Sequence, residues 1–481
     1  MTLFVLPLEL IESVMKQLDS RIDLIHFAAT CKQARSLCKP RIFACLKIQV
    51  GKECWNDSSA SLFKSLTRGE TDVARLVRNL FILTVFPLRT RCSGSADMMY
   101  HKTTQARALG KFVKAIRNVI PQFVGLQHLQ SVSRPCDLDP SCGFKAADVD
   151  AIIRALAVLP RLVSLSLNFG YGPFLLVPPY LIRSSLSRFK NLHSVEIRGE
   201  ANSYGNIIGP LVANNPKLTR LALVGRDPAL IATFYEIQNY YDLRYLPITD
   251  LSIGCSIDAT IPSLVPYLRH LRIKTTIDSF IPSEFWVALA ERGIPLVTLL
   301  VRDTTDALME YIESYSGLEV PSLSPADDRY AEAFYARVLQ RHIPSLRKLS
   351  IEITSRGKWC VGPCALDALS RCTKLVELNM PIYMHHEVGV VYNPRRFATD
   401  LQQFLVLLPN LQQLYMRGPT PIHEFTGLCI QSAINYFHSD DRLDVVVSTN
   451  AWVYRFKTEC GVYVLRCVRP WKAMQLPWDS W

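Results

Sequence analysis

The residues of this 481-residue chain whose side chains could ligate a metal or attack a substrate are a cysteine cluster and a histidine pair. Cys360, Cys364 and Cys372 lie close in sequence, and His385-His386 follow. Thiolates and imidazoles hold structural zinc, but such sites use tight cysteine pairs in matched sets. Here Gly362 and Pro363 interrupt the first pair, and Cys364 and Cys372 fall two turns apart on a helical face. The spacing predicts packed thiols and a surface histidine pair. Cys31, Cys38 and Cys45 are read the same way, as packing and not metal. No Gly-rich dinucleotide turn, Walker loop, G-x-S-x-G elbow or H-E-x-x-H helix occurs. No catalytic residue, metal, cofactor or small-molecule substrate is expected.

What remains is charge. The chain carries 54 Lys and Arg against 42 Asp and Glu, a formal net charge of +12. The basic residues form no run of five or more, so nucleic acid is not indicated as a partner. Their meaning depends on the elements that place them.

Those elements follow from one motif, L-x-x-L-x-L, with Ile, Val or Met allowed. Clear copies begin at Leu162, Leu218, Leu268, Leu346, Leu375 and Leu411, and weaker ones at Val77, Leu126, Leu192, Ile248 and Leu296. In five copies a proline stands two residues before the first leucine: Pro160, Pro216, Pro266, Pro344 and Pro409. Proline there ends a helix and favours extended chain. Between copies lie amphipathic helical patterns, among them Ala108 to Val119, Ile152 to Leu159, Pro282 to Gly293, Ser324 to about His342, and Phe397 to Leu405. A short strand plus a helix cannot bury its apolar face alone, whereas stacked copies share one core. The predicted fold class is α/β: an irregular leucine-rich-repeat solenoid with a curved parallel sheet and helices on the convex side. A doubly wound α/β enzyme also alternates strands and helices. Against it, these strands share one motif and no Gly-rich phosphate turn follows the first.

By the period-2 rule, the residues flanking the inner leucines point to the concave face. Arg198, Arg220, His270, Arg272, Lys274, Arg302 and Lys348 would line its middle, with Tyr415 and Arg417 beyond, and these are assigned to substrate binding. Arginine clusters grip carboxylates and phosphates, so an acidic or phosphorylated protein segment is one expectation. A solvated face with internal Glu–Arg pairs is the other. Two long gaps must hold insertions or undetected repeats. Residues 89–103 read as a loop; after Thr304 comes a helix and then a loop at Ser314–Pro325. Strand-like segments in 431–470 read as a terminal cap, and Trp471, Trp478 and Trp481 form a tail.

The N-terminus has a separate pattern. Leu10, Val14 and Leu18 recur at helical spacing beside Ile11 and Met15; Asp19 to Asp23 breaks that helix; Leu24, Phe27, Ala28 and Cys31 begin another stripe. The plain reading is a helical cap on the repeats, yet so small a unit tends to leave apolar surface for a partner. Leu6-Pro7-Leu-Glu9-Leu10-Ile11, then Val14, Leu18-Asp19, Asp23-Leu24, Cys31-Lys32, Arg35, Pro40 and Phe43 resemble the F-box family, with Ala34 where that family often has an aromatic residue. The order of an F-box and then irregular leucine-rich repeats is similar to F-box proteins of fungal type. The resemblance implies a three-helix module docking on a Skp-type adaptor, and through it a cullin, as the substrate-recognition subunit of a ubiquitin ligase. It carries adaptor contact to Leu6, Pro7, Leu10, Ile11, Val14, Leu18, Leu24 and Cys31. The alternative is a non-catalytic repeat scaffold without a ligase role.

The expected organisation is 1–50 docking module, 51–125 linking segment and first repeat, 126–430 repeats, and 431–481 cap and tail. Apolar stretches such as Ile152–Leu159 fall short of the roughly 20 residues that span a bilayer. Leu3 to Leu10 lacks a basic flank and includes Glu9, so no signal peptide is read. Scattered cysteines agree with a reducing compartment, cytosol or nucleus, and leave the sequon at Asn56 unused.

Overall fold

The structure is a computed structural model. It describes residues 8–18, 20–50, 57–84, 114–133, 146–168, 186–198, 205–224, 234, 245–254, 257–273, 281–352, 357–381, 386–387, 390–391, 394–417, 444–448, 452–459, 462–465 and 469–470. The chain divides into two compact units, Met1–Ile248 and Thr249–Trp481.

Three helices open the first unit: α1 (Leu8–Lys16), α2 (Arg21–Thr30) and α3 (Lys32–Ile42). Ser20 caps α2 by accepting the Asp23 N–H at 3.0 Å, and the Cys31 sulfur accepts the Ala34 N–H at the start of α3 at 3.3 Å. These bonds satisfy donors that a helix start leaves open. Ile11, Met15, Leu24, Ala28, Cys38 and Ile42 form a core, with Leu18, Phe27, Leu37 and Phe43 partly buried against it. The buried stripe of α1 is thus Ile11–Met15, one residue on from the Leu10–Val14 stripe that spacing suggested. A helix turns about 100° per residue, so the one-residue offset sends Leu10 and Val14 outward.

The rest of the first unit is a parallel sheet: β1 (Cys45–Val50), β2 (Asn79–Thr84), β3 (His128–Ser133), β4 (Ser164–Asn168), β5 (Ser194–Arg198) and β6 (Arg220–Val224). Register follows the motif. Leu46 aligns with Leu80, Leu80 with Leu129, Leu129 with Leu165, Leu165 with Val195, and Val195 with Leu221. The sheet therefore begins at Cys45, inside the segment assigned to the docking module, with Phe43, Leu46 and Ile48 as an unread motif copy.

The second unit repeats the plan in β7 (Asp250–Ile253), β8 (His270–Ile273), β9 (Thr298–Val301), β10 (Val320–Leu323), β11 (Lys348–Ile351) and β12 (Glu377–Pro381). A short hairpin, β13 (His386–Glu387) and β14 (Val390–Val391), precedes β15 (Gln413–Arg417), which pairs parallel with β12. Leu251, Leu271 and Leu299 are in register, as are Leu349, Leu378 and Leu414. One expectation is corrected. Ser314–Pro325, read as a loop, contains β10, which pairs with β9 and β11. Leu318, Pro321 and Leu323 fill the three motif positions, and proline at the middle one hid the copy.

Each repeat is sewn to the last in one way. The carbonyl of the second motif residue accepts the N–H groups of the second and third motif residues of the next copy. The Gln127 oxygen takes Val163 and Ser164, that of Arg269 takes Val297 and Thr298, and that of Arg347 takes Val376 and Glu377. The prolines sit in the turn before each strand. The Asn215, Val265 and Leu408 carbonyls accept the N–H of Leu218, Leu268 and Leu411, which puts Pro216, Pro266 and Pro409 second in a β-turn, where a fixed φ is already suited. Register and shared motif make each unit a leucine-rich-repeat array.

Helices of successive repeats pack in sequence order in the second unit: α4 (Ser283–Glu291), α5 (Asp306–Glu313), the segment from Ala331 to His342, α6 (Pro363–Ser370) and α7 (Pro394–Val406). The middle segment contains a π-helical turn, Phe334–Val338. Trp286 stacks on Tyr311 at 5.8 Å, and Phe334 lies 5.2 Å from Trp359. β16 (Asp444–Ser448) continues the parallel order; β17 (Trp452–Glu459), β18 (Val462–Leu465) and β19 (Arg469–Pro470) pair antiparallel. That reversal falls inside the segment read as the cap, and Trp452, Tyr454 and Phe456 lie on β17. Trp471, Trp478, Trp481 and the 89–103 segment lie outside the described residues.

Candidate functional site

Of the residues first considered for chemistry, Cys360 and Cys364 line one cavity. Cys360 and Cys372 are buried and Cys364 is exposed. Burial pushes the Cys360 thiol up to about 11 and the Cys372 thiol up to about 12, far from the thiolate that a metal or nucleophile requires. Burial also raises the Cys38 thiol. His385 lies outside the described residues and His386 is in β13. Among the described residues no group of His, Cys, Asp and Glu could hold a metal ion, and no helix is long and apolar enough to cross a membrane.

The N-terminal module offers a surface. Ile11 and Leu24, assigned to the adaptor, are only 5% and 6% exposed and belong to the module's core. Leu18 and Cys31 are half-buried, the latter serving as a helix cap. Leu10 and Val14 on α1 are exposed, and so are Ile22 and Ile25 on α2, which spacing did not single out. Leu6 and Pro7 lie outside the described residues. Ala34 is fully buried, so the departure from the family's aromatic falls in the interior.

The open face of the sheet is the second surface, and much of its basic charge is internally paired. In the first unit Arg198 meets Glu196 at 2.5 Å, and Glu196 also accepts from Ser166 at 2.8 Å; Arg220 is exposed. In the second unit Arg272 lies 3.7 Å from Asp250, Lys348 lies 2.8 Å from Glu377, and the His270 ring contacts the Thr298 hydroxyl at 3.0 Å. Arg302 is exposed just after β9. Lys274 lies outside the described residues, and Arg417 is placed by its backbone at the end of β15.

Across β11, β12 and β15 the face is not open. Ser350, Glu377, Asn379 and Tyr415 are buried, and both faces of β12 are covered. Asn379 donates to Ser350 at 2.9 Å, and Tyr415 donates to Gln413 at 3.3 Å. Within this unit the face is more open on β8 to β10, where His270, Arg272, Thr298 and Ser322 are half-buried. The arrangement presents donors and acceptors in neutralised pairs and not one block of positive charge, which suits contact with a protein surface of mixed polarity.

No protein-family model matches the chain, and no curated protein matches it. Solved structures do align. A chain of the yeast Rad7–Elc1 complex matches with a TM-score of 0.42 and 14% identity over 92% of this chain and 98% of that one. A chain of the Drosophila Toll–Spatzle complex matches with a TM-score of 0.31 and 11% identity over 85% of this chain and 55% of that one. The repeat architecture rests on strand register, not on these alignments.

Two structural polar residues escaped the sequence reading. Asn215, 1% exposed, accepts the Leu192 N–H at 2.7 Å and donates to the Phe189 and Leu211 carbonyls. His342, equally buried, accepts the Leu318 N–H at 3.2 Å and faces the Ile312 carbonyl at 3.1 Å. Each sits just before the first leucine of its copy and reaches back to the first leucine of the copy before. Asn215 stands three residues before Leu218 and His342 four before Leu346, so aligning the copies on their leucines would not have put the two in one column.

Proposed function

We propose that this chain is a non-catalytic protein-binding subunit whose N-terminal helices dock on a Skp-type adaptor of a cullin ubiquitin ligase while its repeats hold a protein substrate. One observation carries the reading. The three-helix module closes a core of its own and still leaves Leu10, Val14, Ile22 and Ile25 exposed on α1 and α2. Four large apolar side chains on so small a unit are a partner surface in waiting, and the surrounding residues carry the F-box pattern. On this reading Ile11 and Leu24 support the surface from beneath. The alternative, a repeat scaffold without a ligase role, draws on the same strands and differs only at this module.

Direct binding of the purified full chain to a Skp-type adaptor tests it. Leu10→Glu combined with Ile22→Glu is expected to weaken adaptor binding at least 100-fold, because each puts a charge into a contact that must desolvate. Wild-type protein that fails to bind adaptor, or a double variant that binds it equally well, defeats the adaptor role and leaves the scaffold.

A further inference from the structure

The seam between the β10 and β11 repeats keeps the common stitch, the Glu319 carbonyl accepting the Arg347 and Lys348 N–H groups, but its strand pairing is shorter than that of its neighbours. Its strand register includes only Ser322 with Ser350 and Leu323 with Ile351, the shortest among the described parallel pairs. Pro321 stands in β10 where other copies carry a leucine or, in β5, Val195, and its ring offers no N–H to either adjacent strand. The helical segment that follows contains the π-helical turn Phe334–Val338, a geometry that marks points where a helix can change its winding. At the end of that segment His342 reaches across the seam.

We propose that this seam is a proton-operated hinge, closed by neutral His342 and loosened when the imidazole is protonated. Neutral His342 does two jobs at once. One ring nitrogen, Nδ1, accepts the N–H of Leu318, the first motif residue of the β10 copy, while Nε2–H donates to the Ile312 carbonyl at the end of α5. A second proton turns Nδ1 into a donor facing a donor, so the Leu318 N–H loses its acceptor and a cation stands in a site 1% exposed. The surroundings do not favour that cation. Tyr315 packs edge-on to the ring at 5.3 Å and Tyr311 lies behind it; both phenols are held neutral by burial. The carboxylates of α5, Asp306, Glu310 and Glu313, lie on the adjoining element, and Asp306 and Glu313 are engaged by Arg329 and Arg337. Glu319 precedes β10, and Arg347 and Lys348 lie at the start of β11, with Lys348 engaged by Glu377. Burial is what chiefly disfavours the cation; the bond to the Ile312 carbonyl favours it, and the Arg341 charge adds a smaller push in the same direction as burial.

The sign follows. His342 is held below the ordinary histidine value, so its contribution is complete above about 6.5, the unfolded value, and is lost progressively as pH falls from there toward the lower folded value. Amide exchange of the wild-type full chain by mass spectrometry, corrected for intrinsic rates, reads this directly. Peptides covering Leu318–Leu323 should lose roughly tenfold in protection between pH 7.5 and 5.5, while peptides covering His270–Ile273 hold steady. His342→Gln, neutral throughout, should show a pH-independent seam. Equal pH response of both peptides in wild type, or an unchanged response in His342→Gln, overturns the hinge; if that variant does not fold, the wild-type comparison decides alone.

Discussion

The Lys348–Glu377 pair shows how far a single residue's role depends on its neighbours. Sequence left Lys348 open to two readings, a basic stripe for an acidic substrate or a face of internal ion pairs, and the structure gives it a carboxylate partner on the adjacent strand, with Glu377 only 5% exposed. Two charges so placed are costly to separate. Lys348→Glu sets two carboxylates face to face and is expected to destabilise the second unit by about 3 kcal/mol, read as a lower urea midpoint. Adding Glu377→Lys should restore most of the loss; a single variant as stable as wild type would show that the pair holds nothing. Asn215 is the neutral counterpart. Asn215→Ala strands the Leu192 N–H and the Phe189 and Leu211 carbonyls in the interior, for about 2 kcal/mol of destabilisation, measurable as a fall in Tm. The ion pair was legible only as the general expectation of internal pairs, without its partners, and the Asn215 role was not legible at all. A partner on the next strand depends on register, and register depends on the turn lengths of each copy.

Elements were legible where their punctuation was local. Pro282 and Gly293 bracket α4, and the structure has the helix at Ser283–Glu291 with Gly293 at φ +59 and the Ile294 N–H returning to the Leu289 carbonyl. A Cβ at Gly293 would meet nothing within 4 Å, so Gly293→Ala tests conformation alone. It is expected to destabilise by about 1 kcal/mol, and Gly293→Asn by less, since asparagine tolerates a left-handed backbone. Equal stability of all three proteins would contradict that account. β10 was missed because Pro321 replaced the middle leucine, and β1 because its copy starts with Phe43 immediately after α3. On α1, periodicity found the helix but not its inward side, since Leu10, Ile11, Val14 and Met15 are all apolar and only packing chooses between them.

At the scale of the molecule, the leucine ladder was legible because burying each motif side chain is worth roughly 1.5–3 kcal/mol, which favours keeping it from copy to copy, with Pro321 of β10 an exception. What sequence could not show was that the chain forms two compact units, or that part of the sheet face is covered. Repeat arrays owe their stability to nearest neighbours, so a local defect should remain local. Leu165 on β4 is 1% exposed, and Leu165→Ala should open a cavity worth about 3 kcal/mol. Amide exchange across β3 to β5 should rise steeply, while β11, in the other unit, keeps its protection. Leu349→Ala, whose residue is fully buried on β11, should do the reverse. A uniform rise over both units in either variant would mean that the molecule unfolds as one cooperative body, and local stacking would not then explain its stability. A confined response would also mean that the seam at β10–β11 can loosen while the N-terminal module, six strands and more away in chain order, retains the packing that presents Leu10 and Ile22.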